Sequence, residues 1–264
     1  MRVALCQTNC GEDVAANEEQ VIGLLNRAAA DGADLAALPE VWPRQGSAKQ
    51  IREAAEPVPG PRTERLSEFA ARHHVWVHGG SVLERDGEHI FNTSVLFDRS
   101  GELVASYRKI HLFDADPPGA VPSRESAVFS AGDQVVTAET EFGRVGLSIC
   151  YDLRFPELYR ALVKAGAQVL AVPSAFTERT GKDHWEVLLR ARAIENLAYV
   201  VAPAQVGVHG RGRASHGHAL VADPWGAVVA QVADGEGLAV AELDLDRQDR
   251  LRRELPALDH VRLG

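Results

Sequence analysis

Three residue types with the right chemistry for opening an amide stand at the ends of apolar runs: Glu40, Lys109 and Cys150. Cys150 closes the run RVGLSI and precedes YDLRFPE, where a strand gives way to a helix. A thiol at such a turn is held exposed, backbone N–H groups around it can receive an oxyanion, and a helix start favours thiolate. A cysteine ending a strand is also an ordinary small buried hydrophobe, so Cys150 alone decides nothing. Glu40 follows DLAALP, and Pro39 fixes the turn before it. A carboxylate at the C-terminal end of a buried strand lies where α/β sheets bind ligands, although a solvated loop glutamate is the commoner case. Lys109 lies between the alternating run ELVASYR and the apolar IHLF. Partly buried there, it needs a carboxylate partner; exposed, it would guard a sheet edge.

Taken together, the three form a working set. The thiolate attacks the amide carbon, Glu40 moves the proton to the departing amine, and the ammonium with the Tyr151 amide holds the oxyanion. Water activated by the same glutamate then cleaves the thioester. Glu125, in SRESAVF, could orient the Glu–Lys pair or the substrate, or stand as a loop carboxylate. Cys6 and Cys10 have no comparable setting and read as structural.

The elements that position these groups come from a faint internal repeat. RVALCQ, a helical stretch and ADGADLAALPEVW match RVGLSIC, a helical stretch and VKAGAQVLAVPSAF, with Pro39 aligned to Pro173. SVLFDRSGELVASY matches HALVADPWGAVVAQV, with Asp98 on Asp223 and Gly101 on Gly226, and both read as β-hairpins. Helical spacing places Val21, Leu24, Leu25 and Ala28 after Asn17 as N-cap, and Leu66, Phe69 and Ala70 after Thr63. Leu158, Leu162 and Val163 follow Pro156, while Trp185, Leu188, Leu189 and Arg192 follow Asp183, with Glu186 completing a capping pair. Each half is therefore a β-α-β unit, a further helix and a hairpin. Two such halves cover each other's sheets as a four-layer α-β-β-α sandwich with pseudo-two-fold symmetry. The expectation is one domain over 1–264, its charged tail from about 244 packing on it or on a partner subunit.

Composition narrows the class. The 264 residues are 45% hydrophobic and 25% charged, enough for a sizeable core without a metal or disulfide staple. A net charge of −9 argues against nucleic acid. No apolar window is long enough for a membrane helix, and the N-terminus lacks a secretory core. Three cysteines suit a reducing cytoplasm.

LPEVW, YRKIHLFD and GLSICYDLRFPE together resemble the Glu, Lys and Cys motifs of the nitrilase superfamily of carbon–nitrogen hydrolases, in order and spacing. The resemblance covers nearly the whole chain. It implies the αββα sandwich, a homodimer or higher homo-oligomer, no cofactor, Glu40 as base, Lys109 as oxyanion-stabilising cation, Cys150 as nucleophile and Glu125 as fourth member. PSAFTERTGKDHWEVLLRARAIEN and RASHGHALVADPWG are similar to the deaminated-glutathione amidase branch, which splits an α-ketoglutaramyl amide from cysteinylglycine. An omega-amidase acting on α-ketoglutaramate and an N-carbamoyl amidohydrolase use the same triad and stay open as alternatives. A substrate with carboxylates calls for cations, for which Arg154, Arg179, Arg211 and Arg213 are candidates; Tyr151, Phe113, Phe176 and Trp185 are candidates to line the pocket.

Rival readings are weaker. A zinc hydrolase would draw on pairs such as His73 and His74 or His216 and His218, but no Cys-x-x-Cys or His-Glu-x-x-His pattern occurs. A glutamine amidotransferase would use His184 and Glu186, which read here as helix start. A catalytically silent binding protein would have little reason to bury Glu, Lys and Cys together.

Overall fold

The computed structural model describes residues 1–116 and 121–263. The first half runs β1 (Arg2–Thr8), α1 (Val14–Ala30), β2 (Leu35–Ala37), α2 (Ala48–Ala54), α3 (Pro61–His73), β3 (Trp76–Asp86), β4 (His89–Phe97) and β5 (Leu103–Arg108). A two-residue pair, β6 (Asp114–Ala115) and β7 (Ser123–Arg124), links it to the second half. That half runs β8 (Thr137–Thr140), β9 (Gly143–Leu147), α4 (Pro156–Lys164), β10 (Val169–Ala171), α5 (Glu178–Asn196) and β11 (Tyr199–Ala202). It continues through β12 (Ala204–Gly210), β13 (Arg213–His216), β14 (Leu220–Ala222), β15 (Val228–Gln231), β16 (Gly237–Glu242) and α6 (Leu245–Glu254).

The repeat read from the sequence holds at the level of register. One sheet carries β16-β1-β2-β3-β4-β5, with β12 and β13 also joined to it through β1, and the other is ordered β8-β9-β10-β11-β14-β15. Val3 lies opposite Leu35 as Val145 lies opposite Val169, and Arg2 opposite Glu242 as Arg144 opposite Glu139. Even the irregularities recur: pairing shifts between Leu96 and Phe97 on β4 and between Val221 and Ala222 on β14. In both hairpins an aspartate turns the chain. Asp98 accepts from the Ser100 and Glu102 amides, and Asp223 from those of Trp225 and Ala227, so each turn needs no other partner for these donors.

Alternation along β1 builds the layers. Val3 and Leu5 join a core that includes Val145, Leu147 and Val169 of the facing sheet; Ala4 and Cys6 join one with Val21, Leu24 and Leu25 of α1 and Leu66 and Phe69 of α3. The α-β-β-α sandwich follows. The tail packs on its own chain, where Gln248 donates to the carbonyls of Gln168 and Leu197 and Arg252 to that of Leu197.

Two helix starts differ from expectation. α1 is capped by Asp13, whose carboxylate accepts from the Ala15 and Ala16 amides, while Asn17 is buried and tied to the Gly11 and Pro43 carbonyls. α5 begins at Glu178 with Thr177 as N-cap, so Asp183 is interior. In both cases further turns extend the helix beyond the apolar stripe, which marks only the packed part.

Candidate active site

Strand ends carry the three groups to one place. β2 ends before Pro39, and a bulge in β3 grips the following turn. Ser81 donates its amide to the Pro39 carbonyl and accepts from the Val41 amide, and Trp42 donates to the Gly79 carbonyl. Gly80 lies at φ 61°, where a Cβ would run into the carbonyl oxygens of Leu38 and Pro39. The bulge thus fixes Val41 at φ 47°, a conformation costly for a β-branched residue, and aims Glu40 inward.

The Glu40 carboxylate, 3% exposed, has a partner on every side. Oε1 accepts from Lys109 Nζ and Asn92 Nδ2, both at 2.9 Å, and Oε2 from the Ala175 amide at 2.7 Å. Lys109 Nζ donates to Glu125 as well, at 2.9 Å to Oε2 and 3.1 Å to Oε1, and Glu125 Oε2 accepts from the Phe113 amide. The ammonium is fully enclosed. Burial works against its charge, but Glu125 and Glu40 overcome this and raise its pKa well above the ordinary lysine value. Burial, opposed by Lys109 and helped by Glu40, pushes the Glu125 carboxyl upward.

Cys150 follows β9 at φ 46°, and its amide donates to the Pro173 carbonyl at 3.0 Å. A 3₁₀ turn, Cys150–Arg154, begins there, with the Tyr151 amide in its first turn, where intrahelical acceptors are missing. The expected strand-to-helix turn is present, while the surroundings of the thiol work against its ionisation. Burial, then the charge of Glu40, raises the thiol pKa well above its usual value, with Lys109 only opposing. Cys6 and Cys10 are buried and raised by burial to about 12 and about 11, as inert thiols should be.

The tripeptide Pro173–Ala175 touches both groups: its first carbonyl holds the Cys150 amide and its last amide holds Glu40. Asp152, wholly buried, ties the cysteine turn to the lysine loop. It accepts from the Ile149 amide at 2.8 Å and Tyr107 Oη at 2.7 Å, and from the His111 amide at 3.1 Å; His111 Nδ1 lies 2.7 Å away. Asn92, Asp152 and Gln205, which donates to the Glu40 carbonyl, were not singled out in the sequence. Asn92 stands in a plain alternating strand, and only the place of Asp152 two residues after Cys150 could have drawn notice.

A cavity of about 510 Å³ opens on Glu40, Glu125 and Cys150. Phe113, Tyr151, Arg154 and Phe176 line it as expected, with Arg179 and Arg213. Arg154 stacks over the Phe176 ring at 5.1 Å. Arg211 and Trp185 are elsewhere. Arg211 pairs with Glu12 at 3.0 Å on the surface, and Trp185 is core, donating to the His218 carbonyl. His184 lies 3.3 Å from Arg154, so it serves the rim rather than the thiol. Among the described residues no group of three or more His, Cys, Asp or Glu side chains is placed to hold a metal, and no helix is long and apolar enough to cross a membrane.

A four-layer sandwich with a thiol beside a carboxylate–ammonium–carboxylate cluster defines a class of hydrolases, and the comparisons agree. The carbon-nitrogen hydrolase family model matches residues 2–253, and the chain belongs to that family, within the nitrilase superfamily. It is accordingly a hydrolase of carbon–nitrogen bonds other than peptide bonds. It is 43% identical to a deaminated glutathione amidase of Bos taurus, over 98% of this chain and 81% of that one. Identity is 42% to one from Synechocystis, over 97% and 96% of the two chains, and 37% to a Homo sapiens omega-amidase, over 99% and 95%. The Caenorhabditis elegans NitFhit structure superposes with a TM-score of 0.93 at 41% identity, over 99% of this chain and 65% of that one. A Nesterenkonia sp. AN1 amidase carrying acrylamide added at its active site cysteine gives 0.77 at 29% identity, over 97% and 98%.

Proposed function

We propose that the chain hydrolyses deaminated glutathione to 2-oxoglutarate and cysteinylglycine, with Cys150 as nucleophile, Glu40 as acid–base, Lys109 as the stabilising cation and Glu125 as its second carboxylate. The observation that carries the chemistry is the enclosed Lys109 Nζ, 2.9 Å from both Glu40 Oε1 and Glu125 Oε2, the two carboxylates that line one cavity with Cys150. Glu40 takes the proton from the resting thiol as sulfur bonds to the amide carbon. The enclosed ammonium and the Tyr151 amide offset the charge gathering on oxygen. Glu40 returns the proton to nitrogen as the carbon–nitrogen bond breaks, leaving a thioester. Water then gives Glu40 a proton and attacks the thioester carbon; sulfur leaves and is reprotonated. The acrylamide adduct in the Nesterenkonia relative supports a reactive cysteine.

The substrate reading rests on the higher identity to deaminated glutathione amidases and on the cations of the rim, Arg154 foremost, where carboxylates would bind. Phe113, Tyr151 and Phe176 would pack the acyl chain. Release of 2-oxoglutarate from deaminated glutathione, with α-ketoglutaramate in parallel and Cys150→Ala as blank, tests it. Turnover of α-ketoglutaramate alone would make the chain an omega-amidase instead.

The same reading treats 1–264 as one hydrolase domain acting as a homodimer in a reducing cytoplasm. Exposed Val187 and Ile194 on α5 and Trp225 and Val229 near the β14–β15 turn support a covered face, and three free cysteines support the compartment. Sedimentation of the purified chain measures the assembly.

A further inference from the structure

One long segment departs from the shared register. β3 passes to β4 through Gly87 and Glu88 alone, whereas residues 203–219 separate β11 from β14. That excursion is the β12–β13 hairpin, which leaves its own sheet and pairs with β1 of the other, Gln7 beside Ala204 and Thr8 beside Gln205. It brings His209, Arg213 and Ser215 to the cavity wall, so the wall nearest it is built from residues with no counterpart in the first half.

Their polarity is fixed. His209 is buried, with Nδ1 2.8 Å from the Cys10 carbonyl and Nε2 2.8 Å from Ser215 Oγ. A carbonyl only accepts, so Nδ1 carries the hydrogen. Burial lowers the imidazole pKa, leaving the ring neutral and Nε2 bare. The Ser215 hydroxyl must then donate to Nε2, and what it retains for a ligand is lone pairs. Ser215 welcomes an N–H and repels a bare oxygen. Arg213, two residues earlier, adds a cation.

We propose that the β12–β13 hairpin reads the leaving group: Ser215 accepts a peptide N–H of the departing amine, and Arg213 pairs with that amine's terminal carboxylate. The chain thereby selects amides whose amine half is a small peptide over primary amides that release ammonia. This rests on the cysteine-amidase reading above and assigns the half of the substrate it leaves unassigned.

The test compares deaminated glutathione, a depsipeptide analogue with oxygen in place of the peptide N–H of its leaving half, and α-ketoglutaramate, on wild type and Ser215→Ala. Loss of one neutral hydrogen bond with an unpaired acceptor left behind lowers kcat/KM about 10-fold. Wild type should lose that factor on the depsipeptide. Ser215→Ala should already lack it on deaminated glutathione and show no further penalty on the depsipeptide. Arg213→Gln should behave likewise toward an analogue amidated at its terminal carboxyl. A wild type indifferent to the N–H, or a Ser215→Ala that keeps the depsipeptide penalty, overturns the inference while leaving the amidase reading standing. Failure of wild type on all three amides overturns the substrate reading beneath it. The wild-type arm stands whether or not the variant folds.

Discussion

The two halves of the molecule share strand order, pairing register and even pairing shifts, yet only one member of each matched pair of positions joins the Glu40–Lys109–Cys150 cluster. Register places Thr8 where the other half has Cys150, Ser174 where the first has Glu40, and Asp234 where the first has Lys109. The Thr8 hydroxyl donates to Gln205 and accepts from the Cys10 thiol, and the Asp234 side chain is almost wholly exposed while that of Lys109 is fully enclosed. The scaffold therefore supplies strand ends in duplicate, and function is a matter of which end carries which side chain. Backbone conformation diverges with it: Cys150 turns to φ 46° where β1 still runs extended through Thr8.

Removing these singular groups should have effects in a definite order. Cys150→Ala, preferred to threonine because a β-branched residue is strained at positive φ, should lower kcat by at least about 10⁴-fold with the fold intact by circular dichroism. Lys109→Met leaves Glu40 and Glu125 enclosed without a cation. It should cost about 3–5 kcal/mol, read as a melting temperature about 10 °C lower, and adding Glu125→Gln should recover part of the loss.

A smaller asymmetry concerns pH. His78 of β3, paired with Ser94 at 3.0 Å, matches Val201 and Ala219 in the other half. Burial lowers its pKa to about 4 from 6.5. The unfolded chain takes up the proton from about pH 6.5 downward and the folded chain only near 4, so stability should fall across that window by up to about 3 kcal/mol and then level off. Importing the partner pair, His78→Val with Ser94→Ala, should flatten that part of the curve in denaturant titrations at pH 7 and pH 4. Smallest is the contrast between the turns. Asp98→Ala should cost about 1 kcal/mol, and Asp223→Ala slightly more, because Asp223 also pairs with Arg247 at 2.7 Å.

Much of this was legible in the chain because it is local. The aspartates and glycines of both hairpin turns, the proline-marked strand ends and the three chemical segments each announce themselves within a dozen residues. What was not legible comes from contact between the halves. Nothing in the sequence around Ala175 says that its amide will meet Glu40, and nothing around Gln205 says that its hairpin will change sheets. Asp13 and Thr177 were passed over as caps because the apolar stripe starts a turn or more inside each helix. The setting of the thiol is another such case: the turn around Cys150 favours thiolate, and only the fold reveals the enclosing walls and the nearby carboxylate that oppose it.

The Pro173–Ala175 tripeptide acts as a gauge. Because one short stretch of backbone holds the cysteine amide at one end and the glutamate at the other, the interval between sulfur and carboxylate is inherited from bond lengths and planar peptides, which do not stretch. Descendants of this scaffold that take up new amides have little freedom to retune that interval. Their variation belongs to the rim, where a borrowed hairpin and a few arginines can be exchanged without disturbing the cysteine and glutamate.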